Sequence, residues 1–150
     1  MPEPIREPIQ ELMDVVQDSD ALTNVAAEQF YSFAFAQYQC GDLKKAAETF
    51  HVLCARRPLE SRFWFGLGAT LQEDRYYKEA LNAWAMAAIL DKDNPYPHFH
   101  AAECACSISN LDDAKHALRE AGTRIAHDED HPLKERIPLL QEAWKLCPKP

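Results

Sequence analysis

The stretch S-R-F-W-F-G-L-G-A-T-L, residues 61–71, decides the fold. Trp64, Leu67, Gly68 and Leu71 fall at i, i+3, i+4 and i+7, which sets them on one face of a helix. Ala80 follows nine residues after Leu71, and Trp84 stands four beyond it in a second helical pattern. Small residues at Gly68 and Ala80 let two antiparallel helices approach closely, and Trp64 and Trp84 are expected to fill the volume beside that contact. One helix pair cannot bury its apolar face alone, so neighbouring sequence has to supply more of the same.

It does so at an offset of 34 residues. Phe30 matches Trp64, Phe33 matches Leu67, Ala34 matches Gly68, Ala46 matches Ala80 and Phe50 matches Trp84. The next step gives His98, Ala101, Ala102, Ala114 and Leu118, with His98 replacing the aromatic and Ala102 the glycine. Large and small positions are matched separately, which is the mark of a tetratricopeptide array. Helices are predicted over about 23–40 and 43–57, with Thr23 or Asn24 as N-cap, Gly41 as stop and Pro58 as terminator. Pro95 opens the third unit, whose second helix carries Leu111, Ala114, Leu118, Ala121 and Ile125.

The predicted fold is therefore all-α: three helix pairs over 23–127 (about 27–60, 61–94 and 95–127) between two flanking segments. Residues 1–22 form a proline-rich arm and an amphipathic helix with the stripe Ile9, Leu12, Met13 and Val16. That stripe could pack on its own array or serve dimerisation with a second copy of the chain. Residues 128–150 form an acidic loop and a capping helix bearing Leu133, Ile137, Leu140, Ala143 and Trp144. Pro138 is expected to kink that helix or mark its true start.

A chain of 150 residues buries roughly 70% of its unfolded surface, so its core needs neither disulfide nor metal. The formal charge of −8 argues against nucleic acid and against anionic membranes as partners. The N-terminus has no basic and apolar signal-peptide pattern, and no stretch approaches the ~18 apolar residues of a spanning helix. A cytoplasmic location without stable membrane insertion is expected. Cys40, Cys54, Cys104, Cys106 and Cys147 read as reduced thiols used as small apolar residues.

In a stack of helix pairs the first helix of each pair lines the concave groove. The positions flanking the packing stripe are Tyr31, Phe35 and Tyr38, then Phe65, Ala69 and Gln72, then Tyr96, Phe99 and Glu103. Most are aromatic and few are charged, which suits an extended apolar or proline-containing peptide. Each buried aliphatic anchor of such a peptide would contribute roughly 1.5–3 kcal/mol. Glu103 could accept a hydrogen bond from the peptide backbone.

The segments Y-S-F-A-F-A-Q-Y-Q-C-G (31–41), S-R-F-W-F-G-L-G-A (61–69) and P-H-F-H-A-A-E-C (97–104) resemble the class II chaperones of bacterial type III secretion, the SycD/LcrH group. The likeness runs from about Phe30 to Ala121. It implies a non-enzymatic chaperone of the bacterial cytoplasm. Such a chaperone holds hydrophobic translocator proteins soluble before export, gripping a short P-x-L-x-x-P-like segment in the groove. The family's groove aromatics match Tyr31, Phe35 and Tyr38, and by the same resemblance Phe65, Tyr96 and Phe99. The family's N-terminal dimerisation would give the Ile9–Val16 stripe a partner.

Other readings have less support in the residues. A general tetratricopeptide scaffold or co-chaperone would clamp a terminal carboxylate with basic residues, yet the corresponding positions hold Tyr31, Phe35 and His100. His98, His100, Cys104 and Cys106 are close in sequence, but 98 and 100 point to different helix faces, as do 104 and 106. One helix cannot converge four ligands on zinc, so no metal and no cofactor is expected. Phosphate loops, nucleophile elbows and calcium-loop spacing are missing from the sequence, so no catalytic residues are expected.

Overall fold

The structure, a computed structural model, describes residues 22–146. The stripe Ile9, Leu12, Met13 and Val16 lies outside the described residues, as does Cys147. The described residues form helices α1 (Asn24–Gln39), α2 (Leu43–Arg56), α3 (Ser61–Glu73), α4 (Tyr77–Leu90), α5 (Tyr96–Ser107), α6 (Leu111–Arg124) and α7 (Leu133–Ala143). Each packs chiefly on the helix before it and the helix after it, giving an all-α array of three antiparallel pairs plus α7.

The 34-residue period extends to the connections inside each pair. Gly41, Arg75 and Ser109 stand 34 apart and all adopt left-handed backbone, with φ of 85°, 65° and 63°. Each lets the chain reverse so that the next amide bonds back to the helix it has left. Those amides are Asp42 N–H to the Gln37 carbonyl (2.9 Å), Tyr76 N–H to Leu71 (2.8 Å) and Asn110 N–H to Ala105 (2.8 Å). The same three residues then start the second helix. Asp42 Oδ1 accepts from Lys45 N–H and Asn110 Oδ1 from Asp113 N–H, each at 3.3 Å, while Tyr76 offers no side-chain cap. Of the two candidate caps for α1, Thr23 serves: its Oγ1 accepts from Ala26 N–H at 3.1 Å.

Glycines set how closely the helices approach. A Cβ on Gly68 would lie 2.8 Å from the Trp84 indole, so this glycine receives the ring of its own pair. A Cβ on Gly66 would lie 2.3 Å from the Phe50 ring, so this glycine receives the preceding pair. Ala46, Ala80 and Ala114 are all fully buried, and so are Phe30, Phe50, Trp84 and Leu118 apart from traces. Trp64 departs from the expected role. It is half-buried, and its indole N–H donates to the Pro58 carbonyl at 2.8 Å, pinning the α2–α3 turn. The deep aromatic of α3 is Phe63, fully buried.

Two apolar cores result. One joins α1 to α4 and takes Cys104 from α5; the other joins Phe99, Ala102, Ala105 and Cys106 of α5 to Leu118, Ile125, Leu133, Ile137 and Leu146. Leu133 and Ile137 therefore cap the C-terminal end, and Leu140 is partly buried there. Ala143 and Trp144, expected in the same stripe, are exposed. α7 begins at Leu133 and runs through Pro138, so the proline does not mark its start. Pro138 is exposed, at the surface of the helix.

Candidate peptide-binding groove

The 34-residue step puts Tyr31, Phe65 and Phe99 at equivalent positions of α1, α3 and α5. α1 and α3 leave theirs half-buried, beside a pocket of about 420 Å³. Tyr31, Phe35, Tyr38, Phe65 and Ala69 all line that pocket. Tyr31 is its centre. Its ring lies nearly parallel to Phe35 with centroids 6.3 Å apart, meets Phe50 edge-on at 6.2 Å, and lies 5.8 Å from Phe63. Phe50 and Phe63 are buried, so they fix the tyrosine ring from behind and leave its other side to the pocket. Phe35 is 45% exposed, a large aromatic surface that no element covers among the described residues.

Arg62 was not among the groove positions read from the sequence, yet it lines the same pocket. Its guanidinium sits 4.9 Å from the centroids of both Tyr31 and Phe63 and is paired with Glu28 and Glu60. The hydrogen bond from Arg62 holds the Glu28 carboxyl below its ordinary value despite some desolvation. Arg62 places a paired cation at the pocket wall, where its N–H groups serve as donors, and Asp91 lines the same pocket. Ser61, Asn94 and Pro97 also line the pocket. Only a three-dimensional view could add these residues, because they stand at helix starts and in loops rather than in a helical stripe.

The other four expected positions are arranged differently. Gln72 and Glu103 are joined in a network: Trp84 Nε1–H donates to Gln72 Oε1 (2.9 Å), and Gln72 Nε2–H donates to Glu103 Oε1 (3.2 Å). His100 Nδ1 lies 2.6 Å from the same carboxylate oxygen. Burial alone would raise the Glu103 carboxyl, but the hydrogen bonds and charge of His100, the Gln72 amide and Arg136 bring it below its ordinary value. Gln72 and Glu103 border a separate depression of about 430 Å³, also lined by Leu140 of α7 and by Trp144, which follows that helix. Tyr96 is half-buried, its ring 6.2 Å from His100 and 5.6 Å from His131. Phe99 is only 2% exposed and belongs to the C-terminal core, with the Arg136 guanidinium 4.6 Å above its ring. The element that covers it is the chain's own α7.

His100 stacks on Trp84 at 4.8 Å, while Cys104 and Cys106 are buried. Burial pushes the Cys104 thiol up to about 12 and raises Cys106, so both behave as apolar side chains. Among the described residues no helix is long and apolar enough to cross a membrane.

Three stacked antiparallel helix pairs repeating every 34 residues, with an aromatic pocket on their first helices, define a tetratricopeptide array. A tetratricopeptide repeat family model matches residues 27–58 and 61–94. The low calcium response locus protein H of Yersinia pestis is 39% identical over 120 residues, 79% of this chain and 71% of that protein. The Yersinia enterocolitica type III secretion chaperone SycD, solved with a peptide of the translocator YopD, matches with a TM-score of 0.76 at 36% identity, over 83% of this chain and 95% of that one. PcrH of Pseudomonas aeruginosa, solved with the chaperone binding region of PopD, matches with a TM-score of 0.76 at 33% identity, over 83% and 94%. The chain belongs to the low calcium response protein H family of type III secretion translocator chaperones. It is not an enzyme.

Proposed function

We propose that the protein is a cytoplasmic chaperone that binds an extended P-x-L-x-x-P-like segment of hydrophobic translocator proteins and keeps them soluble until export. The observation that carries this reading is the pocket of about 420 Å³ whose walls are Tyr31, Phe35, Tyr38, Phe65 and Ala69. A leucine-sized side chain entering it would be removed from water for roughly 1.5–3 kcal/mol. Flanking prolines hold the segment extended before it binds, so little chain entropy is lost. The backing of Tyr31 by buried Phe50 and Phe63 adds preorganisation on the chaperone side.

Gln72, Glu103 and Tyr96, outside the aromatic pocket, contact the client beyond its leucine anchor. Calorimetric titration of a P-x-L-x-x-P peptide tests the reading. Tyr31→Ala with Phe35→Ala should weaken binding more than about tenfold, two lost aromatic contacts exceeding 1.4 kcal/mol together, with helicity unchanged. Equal affinity of the two proteins would overturn the groove assignment.

A further inference from the structure

The second helices of the three pairs end on residues of different charge. Arg57, Asp91 and Ile125 stand 34 apart and are the C-cap residues of α2, α4 and α6. A helix C-terminus is the negative end of its dipole, so a cation is favoured there and a carboxylate is not. Arg57 follows that rule, and its guanidinium pairs with Glu60 at 2.6 Å. Asp91 inverts it. One repeat on from Glu60 stands Asn94, so an amide takes the place of the ion-pair partner.

The inverted charge falls at the aromatic pocket. Asp91 and Asn94 both line it. Asn94 Nδ2–H donates to Asp91 Oδ2 at 3.2 Å, while Asn94 Oδ1 accepts from Tyr96 N–H at 3.0 Å. The Asp91 N–H donates to the Ala87 carbonyl at 3.0 Å. The α4–α5 turn thus holds the carboxylate in place from both sides. Asp91 is exposed, and among the described residues it forms no ion pair. Arg62, the other charged residue of the lining, is already paired with Glu28 and Glu60. Among the described residues the pocket therefore presents one unneutralised charge, a carboxylate, and the C-terminal carbonyls of α4 add to its negative potential.

We propose that Asp91 is a specificity-determining residue of this pocket, selecting client segments that carry a lysine or arginine beside the buried anchor. The inference rests on the client-binding reading of the pocket. Aromatic walls reward any apolar anchor of suitable size, and a fixed charge at the wall discriminates among segments of equal apolar content. An extended segment advances about 3.1 Å per residue, so the neighbours of a seated anchor emerge at the rim, within reach of a long basic side chain. Because Asp91 is exposed, the preference is about two- to fivefold for one charge, and salt weakens it.

Calorimetric titration with a set of peptides tests the proposal. The reference is a P-x-L-x-x-P peptide with alanine at its variable positions; lysine, then glutamate, replaces each alanine in turn. Lysine at one of these positions should tighten binding about two- to fivefold over alanine, and glutamate at the same position should weaken it. The lysine advantage should shrink between about 0.05 M and about 0.5 M salt. Asp91→Asn should bring the lysine-to-alanine ratio close to one. Asp93→Asn makes the same charge change at an exposed residue outside the lining, and should keep the ratio. A lysine advantage at no position, one undiminished in Asp91→Asn, or one lost equally in Asp93→Asn would overturn the assignment of specificity to Asp91. Failure of the reference peptide to bind would overturn the client-binding reading itself, and this inference with it.

Discussion

Gly66 and Gly68 stand two positions apart on α3 and meet rings 34 residues apart, Phe50 and Trp84. One glycine joins neighbouring pairs and the other closes its own pair. Gly66→Ala places a methyl group 2.3 Å from a ring that is itself buried, so ring and backbone must shift. Urea unfolding should show a loss of roughly 1–3 kcal/mol. A loss within about 0.5 kcal/mol would mean that the two pairs are not in such close contact. Glu103 gives a test by pH. Its folded carboxyl lies below the ordinary 4.5, so its contribution is complete above the unfolded value and is lost as pH falls through the folded one. Glu103→Gln should flatten the loss of stability in that acid window, followed by thermal unfolding from about pH 6 to about pH 3, roughly one and a half units either side of the usual carboxylate value. An unchanged acid slope would mean that the His100–Glu103 pair does not form. The residue scale was only partly legible. The stripe containing Trp64 identified the helix, but α3 has neighbours on two sides and buries a wider arc than one stripe. Phe63 therefore lies deeper than Trp64.

Between residues and molecule stand the helix ends, where the repeat is clearest and least uniform. Asp42 and Asn110 cap their helices, and Tyr76, at the equivalent place, does not. Tyr76 is also 54% exposed. Tyr76→Asp should supply the missing acceptor at the start of α4 and raise stability by about 1 kcal/mol, seen as a higher denaturant midpoint at constant m. A lower midpoint would show that the ring stabilises more than the cap. Helix pairs, their stops at Gly41 and Pro58 and the opening at Pro95 were legible because each has a local chemical cause. α7 was legible as a cap through Leu133 and Ile137, but not in its reach. It lays Arg136 over Phe99, and at that third position of the Tyr31–Phe65–Phe99 series the chain's own helix covers the ring. Helical register cannot foresee such a long-range return of the chain.

Across the whole molecule two cavities stand on different parts of the array. Over α1 and α3 lies an aromatic pocket, and toward α5 the Gln72–Glu103 network borders a second, open depression lined in part by Leu140 of α7. The two cores meet at α5, which gives Cys104 to one and Phe99 to the other, so the groove walls are coupled through that helix. The most direct measurement is photo-cross-linking with a P-x-L-x-x-P peptide whose leucine is replaced by benzoylphenylalanine, followed by mass-spectrometric mapping of the adduct. Adducts confined to the pocket walls, at Tyr31, Phe35, Arg62, Phe65 or Ala69, are the expected result. Adducts on the exposed side of α4 near Ile89, or on α1 near Val25, with none in the pocket, would contradict it.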